Sequence, residues 1–139
     1  MSVSFRILSS IGVVYVRYQG HAIMSDTLTA FAEYASHPEF RPGQKQLVDL
    51  TELTGWDEDY VQLMQAQAQK AEAFTGQNAQ TLIVYLAPTL VGQKLARIAL
   101  RSWEPFPAVV PMVQESEQPA LSILGIPHDS ISQLLSRTA

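Results

Sequence analysis

The segment Thr81 to Ala87, TLIVYLA, constrains the fold more than any other part of the chain. It is apolar at almost every position and lacks the alternation of a strand that has one face in water. Strands of this kind are typical of parallel sheets, which helices cover on both faces. The sequence therefore predicts a strand inside a helix-covered sheet.

Four more segments have strand character. Val3 to Leu8 alternates apolar and polar residues, and Gly12 to Gln19 is rich in Val and Tyr, so the short link between them predicts a hairpin. Gln46 to Leu50 predicts a third strand, and Ala108 to Val113 predicts the last one. Pro111 cannot donate to a strand ladder, so we expect this last strand at a sheet edge.

Helical patterns separate these strands. Ser25 and Asp26 are typical of a helix start, and that helix should end near His37-Pro38. Asp57 is expected to cap a second helix that runs to about Phe74. The expected inner residues are Leu28, Phe31, Ala32 and Ala35 in the first helix, and Val61, Met64, Ala68 and Ala71 in the second, whose glutamines 62, 65, 67 and 69 should lie mostly outside.

A third helix is expected to begin at Pro88-Thr89 and to end at Glu104-Pro105. Its expected inner residues are Val91, Leu95, Ile98 and Ala99. Short helices are expected over Glu117 to Leu124 and Asp129 to Ser136. Residues 1–139 thus predict a single α/β domain with a mixed five-stranded sheet, an N-terminal antiparallel hairpin and right-handed βα crossovers.

Composition argues against several functions. The net charge of -4 lacks the clustered cations of a nucleic-acid-binding surface, and the absence of Cys removes disulfides and thiolate nucleophiles. No apolar run approaches the roughly 18 residues of a membrane span. We expect a soluble cytoplasmic protein without a nucleic-acid partner or a transmembrane segment.

The sequence contains no complete catalytic, metal or nucleotide motif. His21, His37 and His128 have no ligand spacing, no Gly-x-Ser-x-Gly segment is present, and no glycine-rich phosphate loop occurs. The prediction is therefore a protein that is not an enzyme and has no catalytic residue, cofactor or metal site.

The best candidate site is the acidic segment from Thr51 to Tyr60, which we interpret as a turn between the third strand and the second helix. The carboxylates of Asp57, Glu58 and Asp59 suit the positive end of a helix dipole, and alternatively a divalent cation or a basic partner. Thr51 and Thr54 are expected to bond the backbone of the turn, with phosphorylation as the alternative.

Two further groups of residues are candidates for partner binding. Lys94, Arg97 and Arg101 recur at helical spacing, which predicts a basic stripe that is either a solvated face or a docking surface for an acidic partner or a lipid headgroup. The rings of Trp56 and Tyr60, like that of Trp103, predict core packing, or else a small apolar pocket or an interface.

The order of elements, the FRPG segment before the third strand and LVDLTELT through it resemble small bacterial proteins related to the STAS domain of anti-sigma factor antagonists. The branch that it resembles has no defined biochemical activity. In the antagonists, the resemblance implies an Asp-Ser-Ser-Gly turn whose serine a kinase phosphorylates. Asp57, Glu58, Asp59 and Tyr60 stand at that position here, so the phosphorylatable serine is missing.

The resemblance favours a non-enzymatic regulatory or protein-interaction module that acts through Thr51 to Tyr60 and the basic stripe. Separately, the high apolar content and the low charge predict a homodimer or a weaker self-associating species. The alternative is a carrier or sensor of a small apolar or lipid-like ligand. A pocket lined by Trp56, Tyr60 or Trp103 would favour the carrier, whereas a filled core would favour the interaction module.

Overall fold

One mixed sheet of five strands forms the centre of the molecule, in the spatial order β1-β2-β3-β4-β5. The computed structural model describes residues 2–75 and 80–137. The strands are β1 (Val3–Leu8), β2 (Val13–Ala22), β3 (Lys45–Trp56), β4 (Thr81–Leu86) and β5 (Val109–Gln114). β1 and β2 form an antiparallel hairpin, and β2 to β5 run parallel. The predicted α/β class, the five-stranded mixed sheet and the hairpin are confirmed.

Five α-helices of the described chain cover this sheet. α1 (Met24–Ala35), α2 (Tyr60–Thr75) and α3 (Leu90–Ser102) connect successive parallel strands, and α4 (Glu117–Ile123) and α5 (Ile131–Arg137) follow β5. The right-handed sense of the crossovers stays a prediction. No helix in residues 2–75 or 80–137 combines the length and the apolar content that crossing a membrane requires.

Two hydrophobic clusters lie on opposite faces of the sheet. Ile83 and Tyr85 of β4 belong to the larger cluster, beneath α1, α2 and α3, whereas Val84 and Leu86 belong to the cluster beneath α4 and α5. Because successive strand residues point to opposite faces, both sets of side chains must be apolar. This two-sided burial explains the continuous apolar segment from Thr81.

β5 lies at one edge of the sheet, as Pro111 predicted. Its only strand neighbour in the described sheet is β4, so one side of β5 needs no ladder hydrogen bonds. A proline is compatible with that position. The last two helices, α4 and α5, then return to the sheet face that α1, α2 and α3 leave open.

β3 is longer than predicted, and the expectation of a turn from Thr51 is wrong. The strand continues to Trp56 and stays paired with the far end of β2, where Ala22 faces Trp56. Two register shifts along this pair indicate β-bulges, which let the longer strand follow the shorter one. The side chains of Thr51, Glu52 and Thr54 are exposed, and these polar residues made a strand resemble a loop.

α2 presents a different face to the core from the predicted one. Val61 and Met64 are 69% and 41% exposed, and Ala68 is exposed too, whereas Leu63 and Gln67 are buried together with Ala66, Ala71 and Phe74. The helix begins at Tyr60 rather than Asp57. Its sequence offers two faces with similar small or apolar residues, and packing against the sheet selects the one that contains Gln67.

Smaller differences concern α1. The helix begins at Met24, so Ser25 lies inside it and does not cap it, and Ala32 is exposed rather than buried. Met24, Thr27, Ala30 and Tyr34 form its buried face. The predicted inner face of α3 agrees better with the structure, because Leu95 and Ala99 are buried. The predicted start of this helix also agrees, since the Thr89 hydroxyl caps it by accepting a hydrogen bond from the Gly92 amide at 3.1 Å.

Candidate functional site: a cavity beneath three helices

A cavity of about 90 Å³ lies between the sheet and helices α1, α2 and α3. Protein interiors are close-packed and leave few voids larger than a water molecule, so a cavity of this size within one small domain is a distinctive feature. Strands β1 to β4 form its floor. The lining residues are Val3, Phe5, Val14, Val16, Tyr18, Met24, Thr27, Ala30, Phe31, Tyr34, Gln46, Val48, Leu50, Leu63, Gln67, Lys70, Phe74, Ile83, Tyr85, Leu95, Ala99 and Trp103.

Aromatic rings from the three helices form much of the wall. Phe31 and Phe74 meet edge to face with centroids 5.6 Å apart, and Phe74 is 6.3 Å from Trp103. The indole Nε1 of Trp103 donates a hydrogen bond of 2.8 Å to the hydroxyl of Tyr85. These contacts hold α1, α2 and α3 apart at a fixed spacing from the sheet and give the cavity a mostly apolar surface.

Most polar groups around the cavity have partners within the protein. The hydroxyls of Tyr18 and Thr27 lie 2.9 Å apart, within hydrogen-bond distance. The Tyr34 hydroxyl donates to Gln44 Oε1 at 2.6 Å and accepts from Gln46 Nε2 at 3.3 Å. Burial raises the pKa of Tyr34 to about 12, so this phenol stays neutral. These residues support the structure of the wall and need no ligand.

Gln67 is different, because one of its polar atoms has no partner. Its Nε2 donates to Ser102 Oγ at 2.9 Å, and the Ser102 hydroxyl donates in turn to the Ala99 carbonyl at 2.5 Å. With its own hydrogen on Ala99, Ser102 accepts from Gln67 Nε2, and the amide oxygen of Gln67 lies on the other side. Gln67 is 1% exposed, and its Oε1 has no hydrogen-bond partner within the described residues. Such a buried acceptor costs roughly 1–3 kcal/mol.

Lys70 lies one helical turn after Gln67, on the cavity side of α2. Burial lowers the pKa of its ammonium group to about 8 from the ordinary 10.5. Among the described residues, no carboxylate forms an ion pair with Lys70, because the one salt bridge there joins Arg17 to Glu52. The cavity wall therefore contains a glutamine oxygen without a hydrogen-bond partner and a half-buried lysine without an ion pair, both within the described residues.

The acidic segment caps helices, as expected, but the residues that do so differ from the predicted ones. Asp59, not Asp57, caps α2, since its Oδ1 accepts from the Gln62 amide at 3.0 Å. Asp57 Oδ2 accepts from the Met24 amide at 3.0 Å and so caps α1, a helix that begins 33 residues earlier. Glu58 lies exposed between them with a left-handed backbone (φ 55°). Two of the three carboxylates are thus occupied by helix termini.

Thr51 and Thr54 belong to β3, so the interpretation as turn hydroxyls is wrong. The Thr51 hydroxyl donates to the Asp49 carboxylate at 2.5 Å, and Asp49 also accepts from the Tyr15 hydroxyl at 2.6 Å. Burial and this bond to Asp49 raise the pKa of Tyr15. The cluster lies on the sheet face opposite the cavity, and its groups satisfy one another.

Trp56 and Tyr60 lie together at the end of β3 and the start of α2, edge to face at 5.1 Å. Trp56 is half-buried against the larger cluster, whereas Tyr60 is 54% exposed. Neither residue lines the cavity, so Trp103 is the only one of the three rings considered above that does.

Lys94, Arg97 and Arg101 are exposed along α3, on the side away from Leu95 and Ala99. The expected basic stripe is present as a geometric feature. Within the described residues, none of its cations forms an ion pair, and the Arg97 guanidinium donates to the Gln93 carbonyl at 3.4 Å. Folding therefore does not depend on these charges.

The residues that sequence reasoning missed are Gln67 and Lys70. Both are polar residues of a helix rich in glutamine, and their pattern is typical of a solvated face. The available signal was their spacing with Leu63 and Phe74, which places all four on one face of α2. No three His, Asp or Glu side chains of residues 2–75 and 80–137 come together as a metal site.

The chain matches no protein-family model and no curated protein.

The capping role of Asp57 gives a first prediction. Asp57→Ala should lower the free energy of unfolding by about 1 kcal/mol, because the Met24 amide at the start of α1 loses its acceptor. Asp57→Asn keeps an acceptor oxygen and should stay within about 0.5 kcal/mol of the wild type. Urea unfolding of the three proteins checks this, and equal losses in both variants would show that charge, not capping, matters.

The burial of Lys70 predicts a particular pH dependence of stability. Between about pH 8 and about 10 the unfolded chain binds more protons than the folded one, so the free energy of unfolding should rise, by on the order of 2 kcal/mol. Near pH 10 the buried Tyr15, Tyr18, Tyr34 and Tyr85, whose pKa values burial raises, begin to oppose this rise, and above pH 10 they should reverse it.

The measurement is urea unfolding at intervals of pH for the wild type, Lys70→Met and Lys94→Met. The rise should vanish in Lys70→Met and persist in Lys94→Met, since Lys94 is exposed on α3. A flat wild-type profile between pH 8 and 10 would contradict the burial of the Lys70 ammonium.

Proposed function

We propose that the protein binds a small ligand with an apolar body in the cavity beneath α1, α2 and α3. The observation that carries this proposal is the unpaired Gln67 Oε1 beside an aromatic-lined space of about 90 Å³. A mostly apolar pocket with a few convergent polar groups is the usual form of a small-molecule site. Ligand binding would offset the free energy that the empty cavity and the unpaired acceptor cost the folded protein.

The size of the cavity limits the ligand. An engineered cavity of about 150 Å³ in another protein admits benzene, so about 90 Å³ suits a short aliphatic segment. A longer molecule requires α1 or α2 to move away from the sheet. The proposed ligand is therefore a compact molecule, or one end of a longer one.

The acidic segment supports the interaction hypothesis less well than the sequence suggested. Asp57 and Asp59 are engaged by helix termini, so their carboxylates are not free to receive a basic partner without loss of a cap. The relation to the STAS domain and the absence of catalysis stay predictions. A pocket lined by Trp103 is expected to favour a ligand carrier over an interaction module, and Trp103 lines this cavity.

A cavity-filling substitution tests the proposed function. Ala30 is 6% exposed and lines the cavity, so Ala30→Leu should occupy part of it and weaken binding of 1-octanol by about tenfold. Ala32→Leu is the matched control, since Ala32 lies two residues away on the exposed side of α1. Isothermal titration calorimetry at fixed pH measures the affinities.

Ala30→Leu should remain folded, because added methylenes fill existing space instead of displacing neighbours. Circular dichroism and a melting curve check this before titration. Equal affinities in the wild type, Ala30→Leu and Ala32→Leu would place the ligand elsewhere on the molecule. Absence of any octanol binding in the wild type would count against the proposed function itself.

A second candidate function is protein association through exposed apolar residues. Tyr60, Val61 and Met64 in the first turns of α2 are 54%, 69% and 41% exposed, and Leu90 at the start of α3 is 82% exposed. Exposed apolar residues that are close together mark interaction surfaces more often than isolated ones do. They favour the predicted interaction module, with self-association as its simplest form.

Sedimentation velocity at micromolar concentrations tests this candidate. The wild type should sediment as a dimer, and Val61→Ser with Met64→Ser should shift it to monomer, because the exposed apolar area of α2 is reduced. Gln65→Ser, on an exposed part of the same helix, is the control. A wild type that sediments only as a monomer would contradict the hypothesis of self-association.

A further inference from the structure

We propose that the ligand of the cavity is a short- or medium-chain monocarboxylate whose carboxylate pairs with the Lys70 ammonium and whose aliphatic chain lies among Phe31, Phe74 and Trp103. This inference rests on the proposed function and names the chemical class of the ligand. It is carried by the position of a single unpaired cation at the wall of an apolar cavity.

The charge of the cavity points to an anion. Lys70 is the one charged side chain among the lining residues of the described chain, and the titratable groups that share the cavity with it are the phenols of Tyr18, Tyr34 and Tyr85. At neutral pH these phenols are uncharged, so none of them compensates the ammonium. Lys70 is half-buried at the cavity wall and forms no ion pair within the described residues, so a carboxylate in the cavity would supply the missing partner.

The number of charges selects a monoanion. A phosphate monoester carries nearly two negative charges at neutral pH, and one ammonium group cannot balance both in a site of low polarity. Sites for phosphate usually add an arginine or a set of backbone amides. The described lining offers no arginine, and the helix start that borders the cavity, at Met24, is already capped by Asp57, so a carboxylate fits the charge count better.

Gln67 completes the polar end of the site. An ammonium group has three hydrogens, and Lys70 follows Gln67 by three residues on the same face of α2. Lys70 can therefore donate to the unpaired Gln67 Oε1 and to the ligand carboxylate at once. In this arrangement the ligand carboxylate pairs with Lys70, and Lys70 in turn donates to the Gln67 oxygen, so the recognition is specific for a negatively charged head.

The rest of the lining suits an aliphatic chain. Phe31, Phe74 and Trp103 provide apolar surface, and about 90 Å³ accommodates only a few methylene groups without movement of a helix. The expected affinity thus rises over the first few methylene groups, and the outer part of an octanoate chain stays at the opening of the cavity or requires α1 or α2 to shift. Much longer chains gain little unless α1 or α2 shifts.

The test compares two ligands of equal chain length, octanoate and 1-octanol, by isothermal titration calorimetry at pH 7. The wild type should bind octanoate at least about tenfold more tightly than octanol, because only octanoate pairs with Lys70. Lys70→Met should abolish this preference while it retains octanol binding. Lys94→Met, which removes an exposed lysine from α3, should behave as the wild type.

A second measurement uses the wild type alone, so the test does not depend on the folding of a variant. Octanoate remains ionised above pH 7, whereas Lys70 loses its proton near pH 8. The affinity for octanoate should therefore fall several-fold from pH 7 to pH 9, and the affinity for octanol should not. Tyr18, Tyr34 and Tyr85 stay protonated over this range because burial raises their pKa values.

Three results would overturn the inference. Equal affinities for octanoate and octanol in the wild type would show that the ligand needs no charge, and the proposed binding function would stand. An octanoate preference that survives in Lys70→Met and at pH 9 would place the carboxylate on another group. Absence of binding for both ligands would overturn the proposed function together with the inference.

Discussion

The structure depends on covering both faces of a largely parallel sheet. β2, β3 and β4 each have a neighbouring strand on both sides, and the strand side chains alternate between two apolar clusters. α1, α2 and α3 cover one face of the sheet, and only the two short helices α4 and α5 cover the other face. Without α4 and α5, the apolar side chains of Leu47, Val84 and Leu86 would face water.

The cores on the two faces of the sheet differ in composition. The cluster beneath α4 and α5 is built from Leu, Val, Ile and Ala around Tyr15, whereas the face beneath α1, α2 and α3 contains buried Gln46, Gln67 and Thr27 as well as a lysine. Burial of polar groups in a core lowers stability unless each is satisfied. Gln46, Gln67 and Thr27 thus surround the cavity, whereas the buried Asp49 lies on the opposite face, where Tyr15 and Thr51 bind its carboxylate.

The architecture could be predicted because hydrophobic periodicity reports burial. The hairpin, the fully covered strand at Thr81, the edge strand with Pro111 and the face of α3 all follow from side-chain pattern and proline chemistry. The far half of β3 could not, because its exposed threonines have the composition of a loop and its length depends on two bulges.

The candidate site could not be predicted for a related reason. A polar residue in a helix is usually solvated, so the sequence predicts Gln67 among the outer glutamines of α2 and indicates no role for Lys70. It predicts Val61 and Met64 in the core instead, although both are exposed. Only tertiary packing decides between two similar faces. The capping of α1 by Asp57 could not be predicted either, because the two residues that form this bond are 33 positions apart and no local sequence pattern indicates it.

The attachment of α1 has a mechanical consequence. Its directional bonds lie at its two ends: Asp57 accepts from Met24 and Asp26 binds Ser2 at one end, and Tyr34 binds Gln44 at the other. Between these ends, α1 meets the sheet and α2 mainly through apolar and aromatic contacts, which resist sliding less than hydrogen bonds do. If α1 is displaced from the sheet, we therefore expect the displacement to be largest near its middle, where Ala30 and Phe31 border the cavity.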